Sequence, residues 1–491
     1  MTGAGMTGGR LTGGRTTDRR ATDRRVTDRR EEAAGLGHVH LVGIGGAGMS
    51  GIARVLLARG ATVSGSDAKD SRAVAELRVL GATVWVGHDA QHLAGVDTVV
   101  VSSAIRETNA ELRAAREQGR RVLLRAEALA ELMAGRRRVA VAGTHGKTTT
   151  TSMLTVAAFR CGVDPSFAIG GDLNEAASNA HHGSGDLFIV EADESDGSFL
   201  VYEPDAAVVT NVEADHLDHY ADEQAVFSAF EDFARSIVPG GFLVACLDDP
   251  GSARLADLAR SRGVDVRTYG TGSDADLRLD DVTLSGTTSS WTPVLRGRRL
   301  PPVALAVPGR HLALNSAAAL LTGLGLGLPE GLLVEGLAGY TGVRRRMELK
   351  GVAAGVRVYD DYAHHPTEVS AQLLAAREVA GSGRLLVAFQ PHRYSRTLAF
   401  AEGFGAALGL ADEVVVMEVY AAGEDPVPGA TGASVASWVP LARDRVHFEP
   451  SWSAVPGELA ERARPGDLVL TMGAGDVTQV GPEVLRLLEA L

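Results

Sequence analysis

The chain has 491 residues, which is too long for one hydrophobic core, and a usual size of roughly 100–200 residues per domain predicts three domains. The formal net charge of −13 disfavours a nucleic-acid-binding surface, and no apolar run reaches the roughly 18 residues that cross a membrane. With 59 glycines and 2 cysteines, the composition is typical of a turn-rich α/β protein whose thiols stay reduced in the cytoplasm.

The N-terminal segment is polar and repetitive, and it shows no hydrophobic period. It contains TGGR repeats followed by TDRR repeats that begin at Thr17, Thr22 and Thr27. So few apolar side chains cannot offset the entropy lost on ordering, and we therefore predict a disordered tail over residues 1–36. A twin-arginine or transit signal is the alternative, but no apolar segment follows Arg30.

A glycine-rich motif begins the first predicted domain, residues 37–135. The short strand His38 to Val42 leads into GIGGAG at 43–48, which fits G-x-G-x-x-G and precedes a helical run, Met49 to Arg59. The next strand ends at Asp67, where dinucleotide-binding folds place a ribose-binding acid. The motif predicts a diphosphate at the helix N-terminus but leaves open whether NAD or another diphosphate binds. A purely structural turn is the other interpretation.

A second glycine loop, GTHGKT at 143–148, lies near the start of the predicted central domain, residues 136–341. The apolar run Val139 to Ala142 precedes it and a helix-compatible run follows. Backbone N–H groups of such a turn bind phosphate, Lys147 adds charge for the terminal phosphates, and Thr148 offers a hydroxyl to Mg²⁺. Val141 stands where the full Walker motif has its first glycine. We predict a nucleoside triphosphate site rather than a structural turn.

Two later strands of the central domain end in acidic clusters. Asp186 to Val190 leads into EADESD at 191–196, and Ala206 to Thr210 leads into NVEADHLDHY at 211–220. Such strands place carboxylates at the sheet edge where ligands bind, and Mg²⁺ prefers oxygen ligands. The alternatives are solvated loops for the acids and a hydrogen-bonding role for His216.

The rest of the central domain carries weaker signals. Residues Thr268 to Pro302 predict short strands and turns without assignable chemistry. A largely apolar helix over Leu312 to Leu324 contains Asn315, which either recognises adenine or caps and packs the helix.

Strands and helices alternate again in the third predicted domain, residues 342–491. Polar clusters follow its first two strands, DDYAHHP at 360–366 and QPHRYSR at 390–396. The forked donors of Arg393 and Arg396 suit a carboxylate or a phosphate, and the alternative is that both are solvated. The predicted strands are Val356 to Tyr359, Leu385 to Phe389, Glu413 to Glu418, Val446 to Glu449 and Asp467 to Thr471.

Six motifs in order give the chain a resemblance to the Mur ligase family that covers nearly everything after residue 37. They are GIGGAGMSGIA at 43–53, GTHGKTTT at 143–150, EADESD at 191–196, NVEADHLDHY at 211–220, DDYAHHPTE at 360–368 and FQPHRYSRT at 389–397. The resemblance implies an α/β fold of three domains: an N-terminal Rossmann-like UDP-binding domain, a central P-loop ATPase-type domain and a C-terminal Rossmann-like amino-acid-binding domain. It also implies that the first glycine loop holds a UDP diphosphate instead of NAD.

The resemblance further implies ATP-driven amide formation. The lactyl carboxylate of UDP-N-acetylmuramate would attack the γ-phosphate of ATP, and the amine of L-alanine would displace phosphate from the acyl phosphate. Mg²⁺, or Mn²⁺ in its place, is the implied metal. We expect a cytoplasmic enzyme of peptidoglycan precursor synthesis, a monomer or weak homodimer, without nucleic-acid or membrane partners.

Site residues follow from matching motif positions to the family. The implied catalytic residues are Lys147, Glu191, His216 and His364, and the implied metal ligands are Thr148, Glu191 and His216. The implied ATP-binding residues are Gly143, Thr144, His145, Gly146, Lys147, Thr148, Thr149, Asn315, Arg346 and Asp361. The implied UDP-sugar-binding residues are Gly45, Gly46, Ala47, Gly48, Met49, Ser50, Asp67 and Ser103. The implied L-alanine-binding residues are Tyr362, His364, Arg393 and Arg396.

Two departures and three rival interpretations remain. Relatives often have His-Asn where this chain has His311-Leu312, which puts one contact on the adenine side in doubt. Residues 211–241 contain no lysine, so the carbamylated lysine of several related ligases is absent, in agreement with the alanine-adding branch. The rivals are a murein tripeptide recycling ligase, an NAD-dependent oxidoreductase and a non-enzymatic ATP-binding switch.

Overall fold

The computed structural model describes Met1, residues 35–216 and residues 219–490. Almost all of the tail predicted to be disordered, residues 1–36, lies outside the described residues. The chain divides after Leu123 into two compact units.

The described part of the first unit is an α/β domain with a five-stranded sheet, in the order β3-β2-β1-β4-β5. Its elements are β1 (Val39–Val42), α1 (Ala47–Ala58), β2 (Val63–Asp67), α2 (Arg72–Val79), β3 (Thr83–Val86), β4 (Thr98–Val101), α3 (Ala110–Glu117) and β5 (Arg121–Leu124). Strand β1 pairs in parallel with β2 and with β4. Because β1 is central and fully buried, its carboxyl end fixes the position of the first glycine loop.

The second unit begins with the central region, whose described strands form an eleven-stranded sheet. Its helices are α4 (Arg125–Met133), α5 (Lys147–Arg160), α6 (Glu223–Arg235), α7 (Pro250–Ser261), α8 (Arg310–Gly325) and α9 (Glu330–Ala338). Its strands are β6 (Arg137–Ala142), β7 (Ser166–Leu173), β8 (Ser178–His181), β9 (Leu187–Glu191), β10 (Ala206–Val209), β11 (Phe242–Cys246), β12 (Asp265–Gly270), β13 (Leu277–Ser285), β14 (Thr288–Leu295), β15 (Arg298–Arg299) and β16 (Val303–Leu305).

Strand β6 lies between β9 and β10, and both pairings are parallel. Its last four residues, Val139–Ala142, are fully buried because helices cover both faces of a parallel sheet. The carboxyl ends of β6, β9 and β10 therefore meet at one edge of the sheet. The second glycine loop and both acidic clusters follow these three ends.

The C-terminal region of the second unit forms another α/β layer, in which the described strands make a six-stranded sheet in the order β17-β18-β22-β19-β20-β21. Its strands are β17 (Glu348–Ala353), β18 (Val356–Asp361), β19 (Leu385–Phe389), β20 (Glu413–Val416), β21 (Val446–Phe448) and β22 (Leu468–Met472). Its helices are α10 (Pro366–Ala380), α11 (Tyr394–Leu408), α12 (Gly432–Ser437), α13 (Val455–Arg462) and α14 (Val480–Glu489).

The predicted fold class is confirmed, and the predicted elements agree with the observed bounds to within two residues at each end. One prediction was wrong: residues from Thr268 to Pro302 are not only short strands, because β13 has 9 residues and β14 has 8. These two strands form an antiparallel hairpin. They bury one face only partly, which hid their period-two pattern. The edge strand β17 was missed for the same reason.

Within residues 35–216 and 219–490, no helix combines the length and the apolar character that crossing a membrane requires. Both cysteines are free thiols, Cys161 partly buried and Cys246 buried.

Candidate active site

The loop between β6 and α5 has the backbone form of a phosphate cradle. Gly143 and Gly146 have φ angles of +131° and +80°, which favour glycine. A Cβ on Gly143 would also collide with Thr210. Helix α5 begins at Lys147 directly after this turn, so the N–H groups of its first turn are placed where they could bind an anion.

The residues that follow β10 hold this loop in shape. The Asn211 carbonyl accepts the Thr144 N–H at 3.1 Å, and Asn211 Oδ1 accepts the His145 N–H at 2.7 Å. Thr210 Oγ1 donates to the His145 carbonyl at 2.5 Å, and the Glu213 N–H donates to Thr144 Oγ1 at 2.9 Å. The motif at 211–216 therefore positions the loop that the motif at 143–148 forms.

Lys147 is the cation of the loop. Its Nζ donates to the carbonyl oxygens of Gly143 at 2.8 Å and Thr144 at 3.1 Å, and to Glu194 Oε1 at 2.8 Å. Burial raises the pKa of Glu194 to about 7, although the charge of Lys147 opposes that rise. Among the described residues, Glu194 Oε2 is buried without a hydrogen-bond partner. A phosphate would compete with Glu194 for the ammonium group.

Thr148 and Glu191 form the candidate Mg²⁺ site. Thr148 Oγ1 donates to Glu191 Oε1 at 2.9 Å, and the Gly170 N–H donates to Glu191 Oε2 at 2.7 Å. A hydroxyl and a carboxylate are oxygen ligands of the kind that Mg²⁺ prefers. Glu194, three residues further on, adds an unpartnered carboxylate oxygen. The donor set therefore fits Mg²⁺.

His216, the third predicted metal ligand, lies beside other carboxylates. Its Nε2 is 3.6 Å from Glu194 Oε1 and 3.6 Å from Asp215 Oδ2. Burial, together with the charges of Arg396 and Lys147, lowers the pKa of His216, so the ring is neutral near pH 7 and retains a lone pair. Its role as a metal ligand stays a prediction.

A cleft beside the loop brings predicted nucleotide residues together. Asn315 and Arg346 line it with the first turn of α5, and an added Cβ on Gly146 would lie 2.7 Å from Asn315 Oδ1. Asp361 does not line this cleft, because its Oδ2 accepts the Met347 N–H at 2.7 Å and its Oδ1 accepts the Ala363 N–H at 2.8 Å. The lining residues are His145, Gly146, Thr148, Thr149, Asn211, His311, Asn315, Arg346, Thr367, Glu368, Ala371 and Gln372.

Two of the residues predicted for the amino acid lie together after β18. The His364 Nδ1 is 2.9 Å from the Tyr362 carbonyl, and the two rings meet edge to face at 5.2 Å. Burial lowers the pKa of His364 to about 4, so the imidazole is neutral at physiological pH.

The other two, Arg393 and Arg396, line a second cleft with Asp215 and His216. Arg396 Nη2 donates to both oxygens of Asp215, at 2.9 and 3.1 Å, and both side chains are 6% exposed. Although burial alone favours the neutral acid, Arg396 holds the pKa of Asp215 well below its usual range. This buried pair joins the C-terminal region to the loop after β10.

The first unit carries its own glycine loop between β1 and α1. The N–H groups of Gly43 and Ile44 donate to the Ser66 carbonyl at 2.8 and 3.0 Å. The N–H of Gly45 donates to Asp67 Oδ2 at 2.9 Å, so the predicted ribose-binding acid also clasps the loop. The other predicted residues are Gly46 at the N-cap of α1, Ala47 and Gly48 in its first turn, Met49 and Ser50 buried in α1, and Ser103 exposed after β4.

A buried carboxylate lies behind this loop. Glu111 is fully buried, and it accepts the Ser66 hydroxyl at 2.5 Å and lies 2.7 Å from His92 Nδ1 and 3.5 Å from His40 Nε2. Although burial opposes ionisation, hydrogen bonds from His40, Ser66 and His92 lower the pKa of Glu111 to about 2. Glu111 therefore supports the strand end that holds the glycine loop.

Three models of Mur ligase domains match the chain in order: "Mur ligase family, catalytic domain" at 38–137, "Mur ligase middle domain" at 141–323 and "Mur ligase, glutamate ligase domain" at 345–475. The chain belongs to the Mur ligase family. The matched segments contain both glycine loops and all six motifs.

Relatives of this Mur ligase include proteins called UDP-N-acetylmuramate–L-alanine ligase. The one from Acidothermus cellulolyticus is 60% identical over 451 residues, 92% of this chain and 94% of the relative. The one from Kineococcus radiotolerans is 60% identical over 460 residues, 93% of this chain and 97% of the relative. The crystal structure of the Thermotoga maritima UDP-N-acetylmuramate-alanine ligase superposes with a TM-score of 0.77 at 29% identity, covering 91% of this chain and 98% of that one.

A murein peptide ligase from Psychrobacter arcticus shares the fold at 24% identity, with a TM-score of 0.68 over 93% of this chain and 99% of that one. The likeness supports the fold only.

Sequence reasoning about this Mur ligase missed the acids that pair with its predicted cations. Glu194 binds Lys147, and Asp215 binds Arg396. Glu213 and Glu368 lie on either side of the His145 ring, at 3.6 and 3.4 Å. All four acids belong to the recognised motifs, and this was the only indication in the sequence that they lie in the site. The pairings themselves join residues distant in sequence.

Proposed function

We propose that this Mur ligase joins L-alanine to the lactyl carboxylate of UDP-N-acetylmuramate, with ATP converted to ADP and phosphate. The observation that carries the proposal is its 60% identity, over more than nine-tenths of the chain, to relatives called UDP-N-acetylmuramate–L-alanine ligase. The site agrees, since a phosphate loop with a lysine, an oxygen-ligand pair and the buried Arg396 suits phosphoryl transfer to a carboxylate.

Each domain has a role in this proposal. Residues 37–135 bind the UDP-sugar through the first glycine loop, residues 136–341 bind ATP, and residues 342–491 bind the amino acid. The N–H groups at the start of α1 face the diphosphate, and Asp67 orients the loop. We also propose that the enzyme acts in the cytoplasm as a monomer or weak homodimer.

In the first step the lactyl carboxylate attacks the γ-phosphate, giving an acyl phosphate and ADP. Lys147 leaves Glu194 and neutralises charge on the transferring phosphoryl group. Thr148 and Glu191 would hold Mg²⁺, which supplies positive charge at the phosphates when bound. Activation is needed because a free carboxylate is a poor acyl donor.

In the second step the amine of L-alanine attacks the acyl carbon, and phosphate leaves from the tetrahedral intermediate. The neutral His364 offers a hydrogen-bond acceptor on the amine side, and Arg393 and Arg396 supply positive charge for the carboxylate. Closure of the C-terminal domain on the phosphate loop would exclude water, which otherwise hydrolyses the acyl phosphate.

An amide-product assay tests the proposal. Purified enzyme receives ATP, Mg²⁺ and UDP-N-acetylmuramate with L-alanine, glycine, L-serine or a preformed tripeptide, and phosphate and the UDP-linked product are measured. We expect product with L-alanine at the highest kcat/KM. Efficient use of the tripeptide with no L-alanine product would contradict the proposal and would indicate a recycling ligase.

A further inference from the structure

Two histidines and a glutamate meet between the phosphate loop and the C-terminal region. His145, Glu213 and His365 each offer one ligand atom, and these atoms lie within 4.8 Å of one another. This set of two imidazoles and one carboxylate differs from the oxygen ligands of Thr148 and Glu191. Imidazole nitrogens suit Zn²⁺, whereas Mg²⁺ prefers oxygen.

Both imidazoles are buried inside the protein. His145 is 9% exposed and His365 is 4% exposed, and within the described chain the Nε2 of each has no hydrogen-bond partner. Buried polar atoms are normally partnered, so the unpartnered Nε2 of His365 indicates a missing partner. Although burial opposes ionisation, the carboxylates of Glu213 and Glu368 raise the pKa of His145 to about 9, so zinc would displace a proton from that ring. The His145 Nε2 lies 3.6 Å from Glu213 Oε2.

The groups behind these atoms resemble the outer shell of a metal site. His145 Nδ1 is 3.4 Å from Glu368 Oε1, and a carboxylate in that position orients an imidazole that binds metal through Nε2. Glu213 Oε2 accepts the Thr367 hydroxyl at 2.6 Å. His365 Nδ1 accepts the Thr367 N–H at 3.4 Å, so zinc at Nε2 requires the ring proton to move to Nδ1 and this long bond to break.

The spacing and charge are compatible with a tetrahedral ion. Metal–ligand bonds of about 2.0–2.1 Å place the ligand atoms of a tetrahedral zinc about 3.3–3.4 Å apart. The His145–Glu213 separation is near that value, and the separations that involve His365 are at most 4.8 Å. Glu213 and Glu368 bring two negative charges to balance a divalent cation. Three protein ligands leave a fourth position for water.

We propose that His145, Glu213 and His365 bind Zn²⁺ and that the ion fastens the C-terminal domain to the phosphate loop. His145 belongs to the loop, Glu213 follows β10, and His365 is the N-cap residue of α10. Zinc therefore links elements that must separate if nucleotide is to leave a cleft that His145 lines. Bound zinc slows turnover, a consequence that rests on the proposed ligase activity, whereas the site itself does not.

Zinc binding to the full-length, chelator-treated protein tests the site directly. Zinc chloride is titrated calorimetrically in excess Mg²⁺ with wild type, His365→Gln, Glu213→Gln and a control, His181→Gln, which removes a more exposed histidine on β8. We expect about one tight zinc ion per chain for wild type and the control, and about tenfold or greater weakening in both site variants. Equal affinity in all four proteins, or no tight binding to wild type, overturns the proposal.

Two further readouts cover variants that fold poorly. Co²⁺ in place of zinc should give the intense visible absorption of a four-coordinate site in wild type, and that band should be lost in Glu213→Gln if circular dichroism shows a native fold. Phosphate release should be inhibited by zinc in wild type and in His181→Gln, but much less in His365→Gln relative to its own zinc-free rate. Zinc binding in a protein without ligase activity would uphold the site and defeat the proposed function.

Discussion

The two glycine loops of the chain share a backbone design but differ in charge. Each connects a buried parallel strand to a helix N-terminus, GIGGAG between β1 and α1 and GTHGKT between β6 and α5. The first loop contains no charged side chain, and its closest charged contact is Asp67, which accepts the Gly45 N–H at 2.9 Å. The second contains Lys147, which binds Glu194 at 2.8 Å.

This difference separates binding from chemistry. A loop of N–H groups alone can hold a diphosphate, and a carboxylate that clasps the loop keeps it rigid. Stabilising a phosphoryl group in transfer needs a mobile positive charge and oxygen ligands for a metal ion. Lys147 and Thr148 in the second loop, with Glu191 at the end of β9, would supply these, so under the proposed function the two turns serve different purposes.

Lys147→Ala should produce the largest effect, because it removes the ammonium group that the second loop offers to the transferring phosphoryl group. We expect phosphate release to fall by about 10³-fold or more while binding of UDP-N-acetylmuramate is retained. Stopped phosphate assays and calorimetry measure the two quantities. Lys350→Ala, which removes a lysine on β17 paired with Glu348, is the control and should be active. Full activity of the Lys147 variant would mean that the loops do not differ in the way described.

Glu191→Gln should have the next largest effect, since it weakens the oxygen-ligand pair without removing the loop charge. We expect a loss of about 10²-fold in kcat and a higher Mg²⁺ requirement. Titration of Mg²⁺ in the steady-state assay tests this. Asp186→Asn, directly before the same strand and largely exposed, should leave both values unchanged. An unaltered Mg²⁺ dependence in Glu191→Gln would place the metal elsewhere.

Asp67→Ala tests the first loop and should have a smaller effect. Without the carboxylate, the Gly45 N–H loses its partner and the loop loosens, so KM for UDP-N-acetylmuramate should rise about tenfold with kcat nearly unchanged. Asp70→Ala, which removes a nearby exposed acid, is the matched control. A fall in kcat at constant KM would mean that Asp67 contributes to the chemical step. The first loop would then not serve binding alone.

Glu111 should give the smallest effect, and it concerns stability alone. Its pKa is lowered in the folded chain to about 2, so its contribution is present above the ordinary carboxyl range and is lost as pH falls from about 4.5 toward 2. Wild type should therefore exceed Glu111→Gln in Tm by several degrees at pH 7, and the gap should narrow toward pH 3. A gap that is independent of pH would show that Glu111 does not act through its charge.

The fold could be predicted closely because its signals are local. The run Leu385–Phe389 is apolar and bounded by polar residues, and the predicted strand coincides with the observed one. Strands that bury one face only partly, such as β13 and β17, were missed or predicted too short. Most of their positions are exposed or only partly buried, so the alternation of apolar and polar residues that indicates a strand is weak. For the candidate site, only the motifs could be predicted. Gly143 and Lys147, for example, indicate a phosphate loop by their residue types and spacing.

Partners within the site could not be predicted. Nothing near Arg396 indicates that it binds Asp215, 181 residues earlier. Nor does the sequence around Asp361 show that both of its oxygens accept backbone N–H groups. Such pairings depend on which strand ends become neighbours in the folded sheet. They also depend on whether the attraction between the two charges exceeds the cost of burying them. A short stretch of sequence determines neither.

By itself the sequence determined the order of strands and helices, the two glycine loops and the types of side chain available at each. A phosphate loop requires glycine at positions with positive φ, such as 143 and 146, and a positive charge such as that of Lys147. These requirements hold in any protein and can therefore be recognised in the sequence. Tertiary structure alone decided that Glu194 faces Lys147 and that His145, Glu213 and His365 converge. Periodicity and turn chemistry act over a few residues, whereas charge pairing and ligand geometry depend on distances that exist only after the sheets have assembled.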